Sequence, residues 1–220
     1  MLTGELLNTH LPQLRMDDTI AKALTFINDY KVSHLPVIEN EKFAGLISEV
    51  DLLDAESESN KISSLQKDFI HASLKDNAHF LQAVNICNQF QTNVVPVVTA
   101  DGELLGTITT PALMQTMGVF SGAQEQGAIL ILEMEKNQFA ISEISRIVES
   151  NDATILHLNT TVNTLTGLLT VTLQLNKKEL STIVATFERY EYNVIYYFGD
   201  EKFENDIQNN YQNLMNYLEI

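Results

Sequence analysis

His34-Leu35-Pro36-Val37-Ile38, followed by Gly45-Leu46-Ile47-Ser48-Glu49-Val50-Asp51, decides the fold. The pattern predicts strand, tight turn, strand, then helix. The first apolar run stops at Glu39-Asn40-Glu41, which marks a turn, and a second strand runs from Phe43 to Ile47. Ser48 then stands where a helix begins, with a hydroxyl able to accept from the first unpaired N–H groups. Asp51 falls in the first turn, where a carboxylate opposes the positive end of the helix dipole.

The same layout returns later in the chain. Val94-Val95-Pro96-Val97-Val98 leads through Asp101-Gly102 to Leu104-Leu105-Gly106-Thr107-Ile108-Thr109. Pro36 and Pro96 lie 60 residues apart, and Gly45 and Gly106 lie 61 apart. A helix precedes each pair of strands: Ile20, Ala23, Leu24 and Ile27 fall at helical spacing behind Asp17-Asp18-Thr19, and a second helix spans about Ala78 to Gln89. An internal repeat is a stronger signal than any single motif. One such unit has too little apolar area to stand alone, so two are expected to pack together.

Lys31 to Ile38 (K-V-S-H-L-P-V-I) with Gly45 to Asp51 (G-L-I-S-E-V-D) resembles a cystathionine-β-synthase (CBS) domain. The second copy resembles an eroded CBS domain. The resemblance covers roughly residues 5 to 116 and implies a CBS pair, a module that often binds adenine nucleotides in the clefts between its units. In such modules the aspartate closing G-x-x-S/T-x-x-D takes the ribose hydroxyls, because a carboxylate offers several acceptor sites to adjacent hydroxyls. By that resemblance Asp51 holds ribose and Ser48 approaches phosphate. Lys31 stands where relatives carry a phosphate-contacting cation, His34 adds a donor when protonated, and Pro36 and Val37 wall the base. The bland alternative is that Ser48 and Asp51 are helix caps, Lys31 a surface lysine and His34 a core-edge histidine.

The second copy keeps only Thr109 of these groups, as a weaker second site. Ala112 replaces the aspartate and Gln91 replaces the lysine, and no Lys or Arg occurs between Lys75 and Lys136. A triphosphate buried without cations pays a severe desolvation cost. One competent site per chain follows, better suited to a nucleoside or monophosphate than to ATP.

Beyond the repeat, Gly118 to Gly127 holds three glycines and marks a boundary. The pattern then changes to strand (Ala128–Met134), helix (Ile141, Ile144, Ile147, Val148), strand (Thr154–Leu158), strand (Leu168–Leu175), helix (Lys178–Tyr190) and strand (Asn193–Phe198). This β-α-β-β-α-β order predicts a ferredoxin-like sandwich. Ile141 to Ala153 is similar to the first helix and turn of ACT domains, small regulatory domains that often pair sheet to sheet and bind amino acids at the interface. Gln138 and Phe139 stand where that family's ligand loop carries proline and glycine, so a benzyl group should fill the site. The expected division is therefore 1–60 and 61–117 (two CBS units), 118–127 (linker), 128–199 (ACT-like domain) and 200–220 (tail helix, with Tyr211, Leu214, Tyr217 and Leu218 as its apolar set). The class is α+β.

Composition narrows the partners. The 220 residues carry a formal net charge of −16, which disfavours nucleic acid and anionic membrane surfaces. Cys87 is a lone cysteine, expected as a buried structural thiol. Met1 to Glu5 lacks the basic and apolar regions of a signal peptide, and no apolar run approaches a membrane span, so a cytoplasmic protein is expected. His10, His71, His79 and His157 have no metal-ligand spacing. No nucleophile with an activating base is visible, so an enzyme is not expected. The leading reading is a non-enzymatic regulatory homodimer that senses AMP, ADP or ATP as a regulatory ligand, needs no cofactor and acts on an unknown target protein. A ligand-free interaction scaffold is the alternative, and an amino-acid-sensing ACT regulator ranks below both.

Overall fold

The computed structural model describes residues 1–199, which fall into two compact units, Met1–Met117 and the residues from Gly118 onward. The expected tail helix lies outside the described residues.

In the first unit the repeat is plain. Its first copy runs β1 (Leu14–Arg15), α1 (Ile20–Tyr30), β2 (His34–Glu39), β3 (Lys42–Ser48) and α2 (Glu49–Leu53). Its second copy runs β4 (Leu74–Lys75), α3 (Leu81–Phe90), β5 (Val94–Val98), β6 (Leu104–Thr109) and α4 (Thr110–Phe120). Each copy forms a three-stranded sheet, β1-β2-β3 and β4-β5-β6, with the first pair parallel and the second antiparallel. The registers correspond: Val37 faces Gly45 as Val97 faces Gly106, and both ladders shift one residue later. Thr19 caps α1 by accepting from the Lys22 amide, and both α1 and α3 end on a left-handed residue, Lys31 and Gln91.

The two copies exchange chain across their sheets. The chain ahead of each sheet crosses to the other. Thr3, fully buried, donates its hydroxyl to the Lys75 carbonyl, the Gly4 amide donates to the Asp76 carbonyl, and Asn8 pairs with Thr107 through two backbone bonds. Reciprocally, Ile62 sits in the core of the first sheet and Ile70 pairs with Leu46 through two backbone bonds of 2.9 Å. This explains the glycines of the repeat. A Cβ on Gly45 would lie 2.7 Å from Phe69 Cβ, and one on Gly106 would lie 3.1 Å from the Asn8 carbonyl oxygen.

The second unit runs β7 (Ala128–Met134), α5 (Ile141–Glu149), β8 (Ile155–Val162), β9 (Leu169–Leu175), α6 (Ser181–Arg189) and β10 (Asn193–Phe198). The sheet order β10-β7-β9-β8 is antiparallel throughout. Alternate residues of β7 (Ala128, Leu130, Leu132, Met134) and β9 (Leu169, Val171, Leu173, Leu175) pack with Ile144, Ile147 and Val148 of α5 and Ile183 and Phe187 of α6. The period-2 strand pattern thus meets the period-3.6 helix stripe in one core, as the β-α-β-β-α-β order predicts. Phe139, just ahead of α5, packs against that core. Helix α4 continues to Phe120, whose ring meets His157 edge-on at 5.8 Å, and the Gly122 carbonyl accepts from Gln174 Nε2 at 2.6 Å.

Two substitutions test this packing. Gly45→Ala should lower stability by about 1–3 kcal/mol, the usual cost of forcing a methyl into a filled contact, read by chemical denaturation. Asn40 and Glu41 both have positive φ in the two-residue β2–β3 turn, where the second copy has Gly102. Glu41→Gly should therefore raise stability by roughly 0.5–1 kcal/mol, since an L side chain is penalised in that conformation.

Candidate functional site

The expected site residues gather around the β2–β3–α2 corner, but they do not form one wall. Strand β2 is central in its sheet, so its alternating side chains go to opposite faces. Leu35 and Val37 are fully buried in the first-copy core, so Val37 cannot wall a base in a cleft, contrary to expectation. His34 and Pro36 lie on the other face, where His34 pairs across the ladder with Ser48 and Pro36 with Leu46.

At the head of α2, Ser48 is engaged twice. Its hydroxyl accepts from the Asp51 amide at 3.1 Å and donates to Asp51 Oδ2 at 2.5 Å. This is the cap that the spacing predicts, and it uses the hydroxyl that the resemblance assigned to phosphate. Among the described residues nothing donates to Asp51 Oδ1, and an ionised carboxylate has about four lone-pair sites, so capacity to accept remains. Lys31 is exposed and directs Nζ to Asn28 Oδ1 at 3.1 Å, on its own helix. Thr109, in the Ser48 position of the second copy, is half-buried at the end of β6, and Ala112 in the aspartate position packs against the second-copy core.

Asp51 borders a cleft of about 430 Å³ lined by Asp54, Ala55, Glu56, Asn60, Ser64, Leu65, Lys67 and Asp68. The volume lies within the range of small-ligand sites. Of the expected residues only Asp51 lines it. The rest of the wall comes from the end of α2 and from a 3-10 helix, Ile62–Asp68, that precedes the second sheet. Sequence reasoning gave this segment no role at the site. Its one signal was the apolar pair Ile62 and Leu65, three residues apart, which faces the first-copy core.

A second cluster joins the two copies at equivalent positions. Asn93 Oδ1 accepts from the Ser33 amide at 2.8 Å, and the Asn93 amide donates to Ser33 Oγ at 3.2 Å. Ser33 Oγ also lies 2.9 Å from His34 Nδ1. Burial holds the His34 imidazole below its ordinary pKa, while the charge of Asp51 pulls in the opposite direction. Cys87 is half-buried, and burial pushes its thiol up, with Thr110 opposing. Among the described residues no group of three or more His, Cys, Asp or Glu side chains is placed to hold a metal ion, and no helix is long and apolar enough to cross a membrane.

Residues 4–58 match the CBS domain family model. This segment contains Lys31, His34, Pro36, Val37, Ser48 and Asp51. The chain is 25% identical over 118 residues to inosine-5′-monophosphate dehydrogenase of Methanocaldococcus jannaschii, covering 53% of this chain and 23% of that protein. It is 29% identical over 112 residues to homoserine O-acetyltransferase of Methanobrevibacter ruminantium, covering 50% and 22%. The chain thus spans under a quarter of the length of these curated relatives. Among solved structures it is similar to a CBS domain pair/ACT domain protein of Thermotoga maritima, at 16% identity and a TM-score of 0.48, covering 53% of this chain and 96% of that one. It is also similar to CBSX2 in complex with AMP, at 20% identity and a TM-score of 0.47, covering 54% and 97%.

The lowered His34 pKa has a definite sign. The folded state prefers the neutral ring, so His34 contributes stability above the unfolded imidazole pKa, and this is lost as pH falls through the folded one. His34→Gln should therefore flatten the fall in melting temperature between about pH 7.5 and about pH 5.5, measured by calorimetry. An unchanged slope would mean that the ring takes up its proton without strain.

Proposed function

We propose that this chain is a non-enzymatic regulatory protein whose first CBS copy binds the nucleoside part of an adenine nucleotide in the cleft beside Asp51. The observation that carries the reading is that Asp51 lines a cleft of about 430 Å³ while nothing among the described residues donates to its Oδ1. Asp51 accepts from the ribose hydroxyls, Asn60 and Ser64 supply polar contacts, and Ala55 and Leu65 supply apolar surface. His34 and Pro36 act from behind, by fixing the corner on which Asp51 stands. Ligand that bridges the cleft favours one arrangement of the two copies, by no more than its differential affinity for the alternatives. The second copy, with Thr109 but no aspartate, contributes structure rather than a site.

Two copies of the chain associate in this reading. Supporting it are the exposed Val50, Leu53 and Met114 on α2 and α4, and the exposed Ile129 on the sheet of the ACT-like domain. Exposed apolar side chains on helix and sheet faces are the kind of surface that association covers. The target in this reading is another protein.

A ligand-free scaffold is the second reading, favoured by the bond that ties Asp51 to Ser48 and by Ala112 in the second copy. Calorimetry with AMP, ADP and ATP separates the two, with the Asp51→Ala variant as control. The sensor reading expects heat and a raised melting temperature, both lost in Asp51→Ala. The scaffold reading expects no heat, and only the cost of the lost Ser48–Asp51 side-chain bond and first-turn carboxylate, about 1 kcal/mol. Sedimentation of the Ile129→Glu variant tests association, which should weaken.

A further inference from the structure

We infer that residues 200–220 lie in cis across the outer face of the second unit's sheet, and that a second copy of the chain must displace them to use that face. Register fixes the face. Helices α5 and α6 pack on the side that carries Leu130 and Leu132, so Ile129, Ile131 and Glu133 project from the other. Directly opposed residues share a face, which adds Phe198 and Tyr196 from β10 and Gln174 and Thr172 from β9. The two halves of this face differ. Over β8 and β9 lie Phe120, against His157, and Gly122, against Gln174. Over β7 and β10 the surface is apolar. Tyr196 and Phe198 stack at 6.4 Å and are 51% and 54% exposed, with Ile129 at 39% beside them.

Three observations point to the occupant. The chain leaves β10 at Phe198, on this half of the sheet. There the helix-covered side is closed to it, since a Cβ on Gly199 would run into the Lys178 carbonyl oxygen and lie 3.4 Å from Ala128 Cβ. Next, Phe203, Ile207, Tyr211, Leu214 and Leu218 recur at helical spacing and form one apolar stripe. A helix over 203–218 is about 24 Å long and the strand β7 about 23 Å, so stripe and strand match. The link 199–202 reaches about 13 Å, more than the roughly 10 Å that separates packed layers. Last, 207–218 holds no Asp, Glu, Lys or Arg in a chain of net charge −16. Laid on the sheet, its asparagines and glutamines suit the Thr170 and Thr172 hydroxyls and bury no charge. Tethering favours this segment over a second copy, because a short link holds it at an effective concentration on the order of millimolar.

The test is nuclear magnetic resonance of the full chain, methyl-labelled at isoleucine, with a nitroxide attached through Gln212→Cys in a Cys87→Ser background whose melting is checked. The nitroxide should broaden Ile129 and Ile131 more than Ile144 and Ile183, which lie on the helix side of the sheet. In a mixture of nitroxide-bearing unlabelled chains with methyl-labelled chains that lack the nitroxide, the broadening should be lost. The Leu214→Asp/Leu218→Asp variant should also lose it. In sedimentation that variant should shift the monomer–dimer midpoint to lower chain concentration, and adding Ile129→Glu should undo the shift. Broadening seen only in the mixture, or no preference for Ile129 and Ile131, overturns the cover in cis. A midpoint that stays or rises in the Leu214→Asp/Leu218→Asp variant overturns the competition with a second copy.

Discussion

Backbone pairing between Leu46 and Ile70, and between Asn8 and Thr107, is the constraint on which the first unit depends. A three-stranded sheet with one or two short helices buries too little apolar surface to persist alone. Each sheet here closes its exposed edge with chain that belongs, in sequence, to the other copy. Leu46 and Thr107 would otherwise present unpaired amides and carbonyls, which are costly once buried. Gly45 and Gly106 are the steric condition of that exchange, because a crossing backbone must pass close to each. The two copies therefore fold as one object, and the polar exchange between Ser33 and Asn93 fixes their register at the centre.

The same exchange shapes the cleft beside Asp51. The cleft beside Asp51 exists because the crossing chain, Ile62–Asp68, stands off from α2 at that end. Its lining is consequently shared between the motif and a segment outside it. A reading built on the motif alone placed the pocket on β2, where the central strand leaves no open face for Val37. The cleft lies instead against the segment that closes the sheet edge.

Local rules made most of the fold legible. Apolar periodicity located α1, β7 and α5, and the strands of both repeats, to within a few residues, because those elements bury one face each. The repeat spacing showed two equivalent copies. The crossing was not legible, since pairing of Ile70 with Leu46 is a long-range event with no local signature. Nor was the extension of α4 to Phe120: Gly118 reads as a stop, yet the helix passes through it and Phe120 finds His157. At the site, Asp51 and its cap were readable from the capping pattern. The orientation of Lys31 was not, because its left-handed backbone at the end of α1 turns the side chain back towards Asn28.

Comparing the two copies separates what the fold requires from what it does not. Both keep the proline of the central strand, the glycine under the crossing chain, and a hydroxyl residue ahead of the last helix. These serve pairing and packing, and the second copy builds a complete sheet with them. Asp51 is different. Helix α4 begins without an acidic residue in its first turn, with Pro111 and Ala112 in place of Val50 and Asp51, and it runs longer than α2. A helix at this point of the repeat therefore does not need the carboxylate. Asp51 does stabilise its own short helix through Ser48, but that contribution could be made without setting a carboxylate at the lip of a cleft. In the proposed sensor, its position beside the cleft is what would give the first copy a chemistry that the second lacks.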